Sequence, residues 1–122
     1  MKRDEITEYV ENWIDAWNGR DVEAVLAHFS DDVRFSSPVA ARVAGNRTVT
    51  GKAALRSYWL AALDHVEDLR FTLDRALWDD ERNELAIVYY RDVNGQHDKA
   101  CELLTFDRSG QVAQGEAMYG VA

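Results

Sequence analysis

The sequence predicts an α+β fold in which helices pack on one face of a β-sheet. In the first half of the chain, apolar residues recur at three- and four-residue steps, the spacing of an amphipathic helix. In the second half they alternate with polar residues, as in half-buried strands. The length of 122 residues fits one domain, which we place at residues 1–122. Helices followed by a strand meander are typical of the α+β class.

Three helices are predicted in the first half of the chain. The first ends at Asn18-Gly19, a pair suited to a left-handed turn. Asp21 is suited to cap the second helix, which residues 30–32 should break, and Thr50 is suited to cap the third. The apolar stripes consist of Ile6, Val10, Trp13, Ile14 and Trp17 in the first helix, Val22, Val25, Leu26 and Phe29 in the second, and Leu55, Tyr58, Trp59, Ala62 and Leu63 in the third.

The strands are predicted mainly after the third helix. Asn94-Gly95 favours a two-residue hairpin loop, and turns are expected at residues 79–83 and 107–110. Residues 39–50 show little periodicity and indicate a loop or an irregular hairpin. The predicted strands cover residues 33–35, 69–73, 84–93, 96–107 and 111–119.

One carboxylate, Glu102, falls on the apolar face of the predicted hairpin. A two-residue loop at Asn94-Gly95 places Ile87 opposite Glu102, with Tyr89 diagonal to it. The face carries Leu85, Ile87, Tyr89, Ala100, Glu102, Leu104 and Phe106. Burial should raise the pKa of Glu102, and Tyr89 can donate a hydrogen bond to it. Glu102 is then an acid–base group or a neutral acid that hydrogen-bonds a ligand oxygen, or else a structural residue satisfied by Tyr, Trp or water.

The register of the last strand decides what lies beside Glu102. With a two-residue loop at residues 109–110, the residues on the Glu102 face are Gly115, Ala117 and Tyr119. With a bulged turn, they are Val112, Gln114 and Glu116. We favour the first register for the far half of the strand, because Gly115 and Ala117 would leave a void that a ligand can fill.

The composition excludes several classes of function. A formal net charge of −8 makes the chain a poor binder of nucleic acids and anionic membranes. The single cysteine, Cys101, cannot form an internal disulfide, and the first residues lack the apolar stretch of a signal peptide, so we expect a cytoplasmic protein. The three histidines share no metal-ligand spacing, and no glycine-rich nucleotide loop follows a strand. We therefore expect neither a metal nor a cofactor.

The chain resembles the NTF2-like superfamily, in its SnoaL-like and ketosteroid-isomerase-like branch. The resemblance rests on Trp13 to Asn18 with Arg20-Asp21, Phe29 to Val33, Ser37-Pro38, Gly51-Lys52, and Thr105 to Asp107 with Gly110. It implies a cystatin-like cone, in which three helices pack on a strongly curved antiparallel sheet around an internal apolar pocket. It also implies that Ala117 and Tyr119 face inward, and that two copies pair through the outer sheet face as a homodimer.

The catalytic residues of this superfamily are mostly absent. Ketosteroid isomerases have an aspartate base where this chain has Ser37, and a tyrosine donor where it has Trp13. Glu102 stands where they keep a neutral acid. SnoaL-type cyclases and limonene-epoxide-hydrolase-like enzymes place an acid at the position of Ala117. The resemblance therefore implies the fold, whereas each of these catalytic sets is incomplete.

The predicted site combines these residues. We predict a protein of undetermined activity that binds a small, apolar, oxygen-bearing molecule; it is either an isomerase-, cyclase- or hydrolase-type enzyme that uses Glu102 as its catalytic residue, or a non-catalytic binding or dimerisation module. The predicted ligand-binding residues are Trp13, His28, Ser37, Trp59, Ile87, Tyr89, Ala117 and Tyr119. His28 is either a base near neutral pH or a structural histidine, and the aromatic residues also suit core packing.

The edge of the pocket is predicted to be charged. Arg42 and Arg47 lie on the loop near the expected mouth, where they can attract an anionic ligand or simply be solvated. Arg91 and Asp98 face each other across the hairpin and predict a rim salt bridge. Cys101 falls on the outer sheet face, where a small apolar side chain suits a dimer contact.

Overall fold

The computed structural model describes residues 1–121 and confirms the α+β class, with helices packed on one curved six-stranded sheet. The helices are α1 (Arg3–Asn18), α2 (Val22–Leu26), α3 (Pro38–Val43) and α4 (Lys52–Leu63). The strands are β1 (Phe29–Ser36), β2 (Thr48–Thr50), β3 (Leu69–Asp79), β4 (Glu84–Val93), β5 (Gln96–Phe106) and β6 (Val112–Tyr119). Their order in the sheet is β2-β1-β6-β5-β4-β3. Within these residues, no helix has the length and apolar character needed to cross a bilayer.

The helices cover the concave face of the sheet and enclose the core between them. Helix α1 lies against β3, and α4 lies against β1. The Asn18 side chain donates to the Phe71 carbonyl at 2.9 Å and accepts from the Phe71 amide at 2.7 Å. Because both bonds join the end of α1 to the edge strand β3, they fix the position of α1 over the sheet.

The end of α1 differs from its prediction. Gly19 keeps a right-handed conformation (φ −84°), and the left-handed position is Arg20, with φ 56°. The Arg20 guanidinium donates to the carbonyls of Val66 and Glu67 at 2.7 and 2.6 Å. These long-range bonds stabilise the left-handed conformation of Arg20, a conformation that glycine adopts most easily.

The first strand is longer than predicted and is paired differently. Strand β1 begins at Phe29, which is fully buried, so residues 30–32 belong to a strand rather than to a break. It runs parallel to β6, while the other four strand pairs are antiparallel. The His28 carbonyl accepts from the Val112 amide at 2.8 Å, which joins the start of β1 to the start of β6. Strands far apart in sequence make this parallel pair, and no local pattern marks it.

Residues 39–50 contain a helix and a strand where a loop or irregular hairpin was predicted. Ser37 caps α3 by accepting from the Val39 amide at 3.1 Å, and Pro38 occupies the first turn. Both features favour a helix start. Because α3 has only six residues, it is too short for an apolar period to reveal it. Strand β2 then pairs with β1 in antiparallel register.

The predicted register of the β4–β5 hairpin is confirmed. Ile87 lies opposite Glu102 and Tyr89 opposite Ala100. The loop residue Asn94 has φ 52°, a conformation for which asparagine is suited. The alternation predicted from the sequence therefore gives the correct inner face, including Glu102.

The favoured register of the last strand is confirmed in its far half, where Glu102 lies opposite Ala117. Near the turn, a register shift brings Val112 opposite Phe106, so the bulged alternative applies there. The expected void above Gly115 is absent, because a Cβ at Gly115 would lie 2.8 Å from the Phe35 ring. Phe35 fills that space, and the open volume lies beside Ala117 instead.

Candidate functional site

A cavity of about 560 Å³ lies between the concave face of the sheet and helices α1, α3 and α4. Ligand sites of small molecules commonly fall between ~300 and ~1,000 Å³. The predicted site residues that line the cavity are Trp13, Ser37, Trp59, Tyr89, Glu102, Ala117 and Tyr119. The structure therefore brings seven of the nine predicted residues to the wall of one cavity.

The other two predicted residues, Ile87 and His28, are not part of the cavity wall. Ile87 is completely buried in the core beneath the cavity. His28 is exposed after α2, and its ring centre lies 6.0 Å from that of Tyr9, beside a separate surface groove. A Ser37–His28 pair is therefore not formed, because the two side chains face different cavities. His28 lies in the turn between α2 and β1, outside the helix whose apolar stripe was used to place it.

Glu102 is a buried carboxyl group on the cavity wall. Glu102 is 4% exposed, and the Tyr89 hydroxyl donates a long hydrogen bond of 3.5 Å to its Oε1 atom. Burial raises the pKa of Glu102 from 4.5 to about 8, and the Tyr89 bond and the Arg91 charge only partly offset that rise. At neutral pH the group is therefore mainly a neutral acid, which donates one hydrogen bond.

The phenols around Glu102 are neutral as well. Burial, followed by the charge of Glu102, raises the pKa of Tyr89 far above its usual value. Burial also raises the pKa of Tyr58 to about 12 and raises that of Tyr119. The pKa of Tyr9 rises for the same two causes as that of Tyr89. These groups stay protonated at physiological pH, so they act as hydrogen-bond donors and not as bases.

Ser37 has a structural role in addition to lining the cavity. It is 3% exposed, caps α3 and accepts a second hydrogen bond from the Tyr58 hydroxyl at 3.4 Å. Among residues 1–121, no histidine or carboxylate is hydrogen-bonded to the Ser37 side chain. Ser37 therefore lacks the neighbour that would accept its proton, and it does not replace the missing base.

An aromatic wall forms the apolar part of the cavity. The ring centres of Trp13 and Tyr89 are 5.1 Å apart, and those of Trp17 and Trp59 are 5.0 Å apart, both edge to face. The indole N–H groups of Trp13 and Trp17 are buried without a hydrogen-bond partner in the described part of the chain. Leaving such a donor unpaired costs about 1–3 kcal/mol. Trp17 lines the cavity together with Trp13, because their i,i+4 spacing puts both rings on one helix face.

The rim of the cavity carries charges. Arg91 forms the predicted salt bridge with Asp98 at 3.2 Å, and both residues line the cavity. The guanidinium carbon of Arg91 lies 4.0 Å from the centre of the Tyr119 ring, a cation–π contact. Arg42 on α3 also lines the cavity, whereas Arg47 does not. Tyr58 and Phe71 also line the cavity, and local patterns do not predict them there because their positions depend on how α4 and β3 pack.

Metal binding finds no support in the geometry of the site. Within residues 1–121, no group of three or more His, Cys, Asp or Glu side chains could hold a metal ion. Cys101 lies on the outer sheet face and is partly buried, and burial raises the pKa of its thiol.

The curved sheet, the helices over its concave face and the enclosed cavity define the NTF2-like, cystatin-like class of fold. The model of the SnoaL-like domain matches residues 10–115. The chain therefore belongs to the SnoaL-like family. No protein of curated function matches the chain.

Solved structures similar to this chain span almost all of it. A SnoaL-like protein of unknown function from Burkholderia thailandensis is 29% identical, with a TM-score of 0.86, and the match covers 98% of this chain and 97% of that one. A putative ketosteroid isomerase from Kribbella flavida is 19% identical, with a TM-score of 0.75 and coverages of 98% and 80%. TerC, crystallised with polyporic acid, is 16% identical, with a TM-score of 0.76 and coverages of 94% and 91%.

Proposed function

We propose that this protein binds a small, largely apolar molecule that carries a carbonyl oxygen, and that Glu102 holds this oxygen as a neutral acid. The observation that carries the proposal is the buried carboxyl group on the wall of a cavity of about 560 Å³. A carboxyl group in that setting is costly unless it makes hydrogen bonds, and Tyr89 supplies only one long bond. A ligand carbonyl would accept the hydrogen that the protonated Glu102 offers.

The aromatic wall supports the apolar part of the proposal. Trp13, Trp17, Trp59 and Phe71 form a continuous set of edge-to-face, tilted and stacked ring contacts along one side of the cavity. Removing apolar ligand surface from water contributes ~25 cal/mol for each Å². Flat aromatic or alicyclic molecules would bury the most surface against such rings.

The reaction chemistry of the site is that of an acid. Glu102 can donate to a carbonyl and polarise it, which assists enolisation, addition or ring closure at the neighbouring carbon. An isomerase, cyclase or hydrolase also needs a base, and neither Ser37 nor Ala117 supplies one. We therefore propose binding with carbonyl polarisation as the function, and any complete reaction would take its base from the substrate or from water.

Binding measurements at two pH values test the role of Glu102. Acetophenone and 2-acetylnaphthalene are suitable ketones, and polyporic acid is a further probe because TerC was crystallised with it. We expect the wild-type affinity for the ketones to fall between about pH 6 and about pH 9.5, as Glu102 loses its proton. Glu102→Gln keeps a donor at both pH values, so its affinity should stay constant over this range.

Two controls complete the binding test. Glu116→Gln changes an exposed carboxylate on the outer sheet face and should retain the wild-type pH dependence. Glu102→Leu removes the donor and should bind the ketones weakly at both pH values. Equal affinities of wild type and Glu102→Leu at about pH 6 would remove Glu102 from the site and refute the proposal.

The outer sheet face supports a second candidate function, association of two copies of the chain. Ala86, Val88, Cys101, Leu103 and Met118 form an apolar strip across β4, β5 and β6, and Met118 is 40% exposed. Arg34, Lys99, Glu84 and Glu116 surround the strip, so a facing copy can pair unlike charges at the rim. We propose a homodimer through this face.

Sedimentation tests the homodimer. The wild type should sediment as a species of about twice 13.9 kDa at micromolar concentration. Leu103→Lys places a charge in the strip and should give the monomer, whereas Leu60→Lys changes an exposed leucine on α4, away from the outer sheet face, and should leave the dimer intact. A wild type that sediments as the 13.9 kDa species would contradict the dimer.

A further inference from the structure

Three hydroxyl groups form a second polar cluster in the cavity, separate from Glu102. The hydroxyl cluster consists of Ser37, Tyr58 and Tyr119, all of which line the cavity. Tyr58 donates to the Ser37 oxygen at 3.4 Å, and the Val39 amide donates to the same oxygen at 3.1 Å. Both lone pairs of Ser37 are then used, so its own hydrogen must be donated elsewhere.

Tyr119 stands at the open end of this cluster. The Ser37 hydroxyl lies beside it and, with Arg91, partly offsets the rise that burial causes in the pKa of Tyr119. Since the Val39 amide and the Tyr58 hydroxyl occupy the lone pairs of Ser37, the Ser37 hydroxyl is the donor in its contact with Tyr119. The Arg91 guanidinium lies 4.0 Å from the ring centre and holds the ring in place. The cluster therefore ends at the phenol hydrogen of Tyr119, which can be donated into the cavity.

The two polar positions are separated along the sheet. Tyr119 is two residues beyond Ala117, the residue opposite Glu102. A diagonal pair of this kind has Cα atoms about 7–8 Å apart. Glu102 and Tyr119 therefore offer their hydrogens at two neighbouring positions of the cavity wall. Asp98, the carboxylate that also lines the cavity, is already bonded to Arg91.

We propose that Tyr119 is a second donor to the ligand, and that the cavity selects a molecule with two acceptor oxygens, a diketone or a related dicarbonyl compound. The proposal rests on the proposed function of Glu102 and specifies the ligand class further. In a diol of the same shape, each hydroxyl would bring its own hydrogen next to the donor Glu102 or Tyr119. That hydrogen would find no acceptor there, and each such unpaired hydrogen lowers the affinity. A ketone with one oxygen would leave Tyr119 unpaired.

Three matched probes separate these cases: acetophenone with one carbonyl, para-diacetylbenzene with two, and the diol obtained by reducing both carbonyls. Isothermal titration calorimetry should give the diketone an affinity about threefold to tenfold above that of acetophenone and of the diol. Tyr119→Phe should lower the diketone affinity to that of acetophenone and leave acetophenone binding unchanged. Tyr90→Phe, a change on the outer sheet face, serves as the matched control and should change neither affinity.

A second variant tests the direction of the hydrogen bonds in the cluster. Tyr58→Phe frees one lone pair of Ser37, so the cavity gains an acceptor and the preference for the diketone over the diol should shrink. If the diol binds wild type as well as the diketone does, or if Tyr119→Phe binds the diketone like wild type, the second donor position is refuted. In either case the proposed function stands if acetophenone still binds and its binding still depends on Glu102. Absence of binding by all three probes would refute both proposals.

Discussion

Replacing Glu102 with glutamine should make the free protein more stable at alkaline pH. The pKa of Glu102 is about 8 in the folded chain against 4.5 for an ordinary glutamate. Between these values the folded chain binds a proton that the unfolded chain has released, so the free energy of unfolding falls as the pH rises. The two pKa values differ by about 3.5, and each unit of difference corresponds to ~1.4 kcal/mol in the free energy of unfolding. The burial of Glu102 therefore costs about 5 kcal/mol above about pH 8, and almost nothing below about pH 4.

Urea unfolding between about pH 4 and about pH 9 measures this cost. The amide of Glu102→Gln has nearly the same size, still accepts from Tyr89 and carries no charge at any of these pH values. The difference in unfolding free energy between the variant and the wild type should be near zero at the acid end and reach several kcal/mol at the alkaline end. Glu116→Gln, on the exposed outer face, should stay within about 0.5 kcal/mol of the wild type. Parallel curves for wild type and Glu102→Gln would refute a buried carboxyl group with a raised pKa.

Two further substitutions test how the fold is held. Asn18→Ala removes both hydrogen bonds to Phe71 and should lower the free energy of unfolding by about 2 kcal/mol, measured by heat or urea. An unchanged unfolding midpoint would contradict the role of this contact between α1 and β3. Gly115→Ala forces a methyl group to within 2.8 Å of the Phe35 ring and should cost about 1–3 kcal/mol. At Gly120 the same change meets only an ordinary contact at 3.4 Å, so Gly120→Ala should be close to neutral; equal losses at the two glycines would argue against overpacking.

Local patterns predicted the part of the site that lies on the β4–β5 hairpin. A two-residue turn at Asn94-Gly95 fixes the pairing, and the period of two then decides which side chains face inward. Glu102 and Tyr89 were placed correctly for this reason. The same reasoning gave Ala117 opposite Glu102 once the last strand was paired.

The remaining features depend on contacts between distant segments. The hydroxyl cluster joins residues from the cap of α3, from α4 and from β6, and Ser37 and Tyr58 are 21 positions apart in the chain. Neither periodicity nor turn signals specify how these three elements meet. The exposure of His28 could not be predicted from the apolar stripe of α2, because it depends on where β1 begins.

The parallel pairing of β1 with β6 also sets an order in which the chain can complete its sheet. Strand β1 precedes most of the sequence, yet β6, its neighbour in the sheet, is the final strand of the chain. Strand β6 is also the only link between the β1–β2 pair and the β3–β4–β5 meander within residues 1–121. During synthesis the two halves of the sheet must wait for residues 112–119, because closing so long a loop is slow and yields no pairing until its end. Once β6 inserts, it joins the halves and brings Ala117 and Tyr119 to the cavity wall, so the cavity is completed in the same step as the sheet.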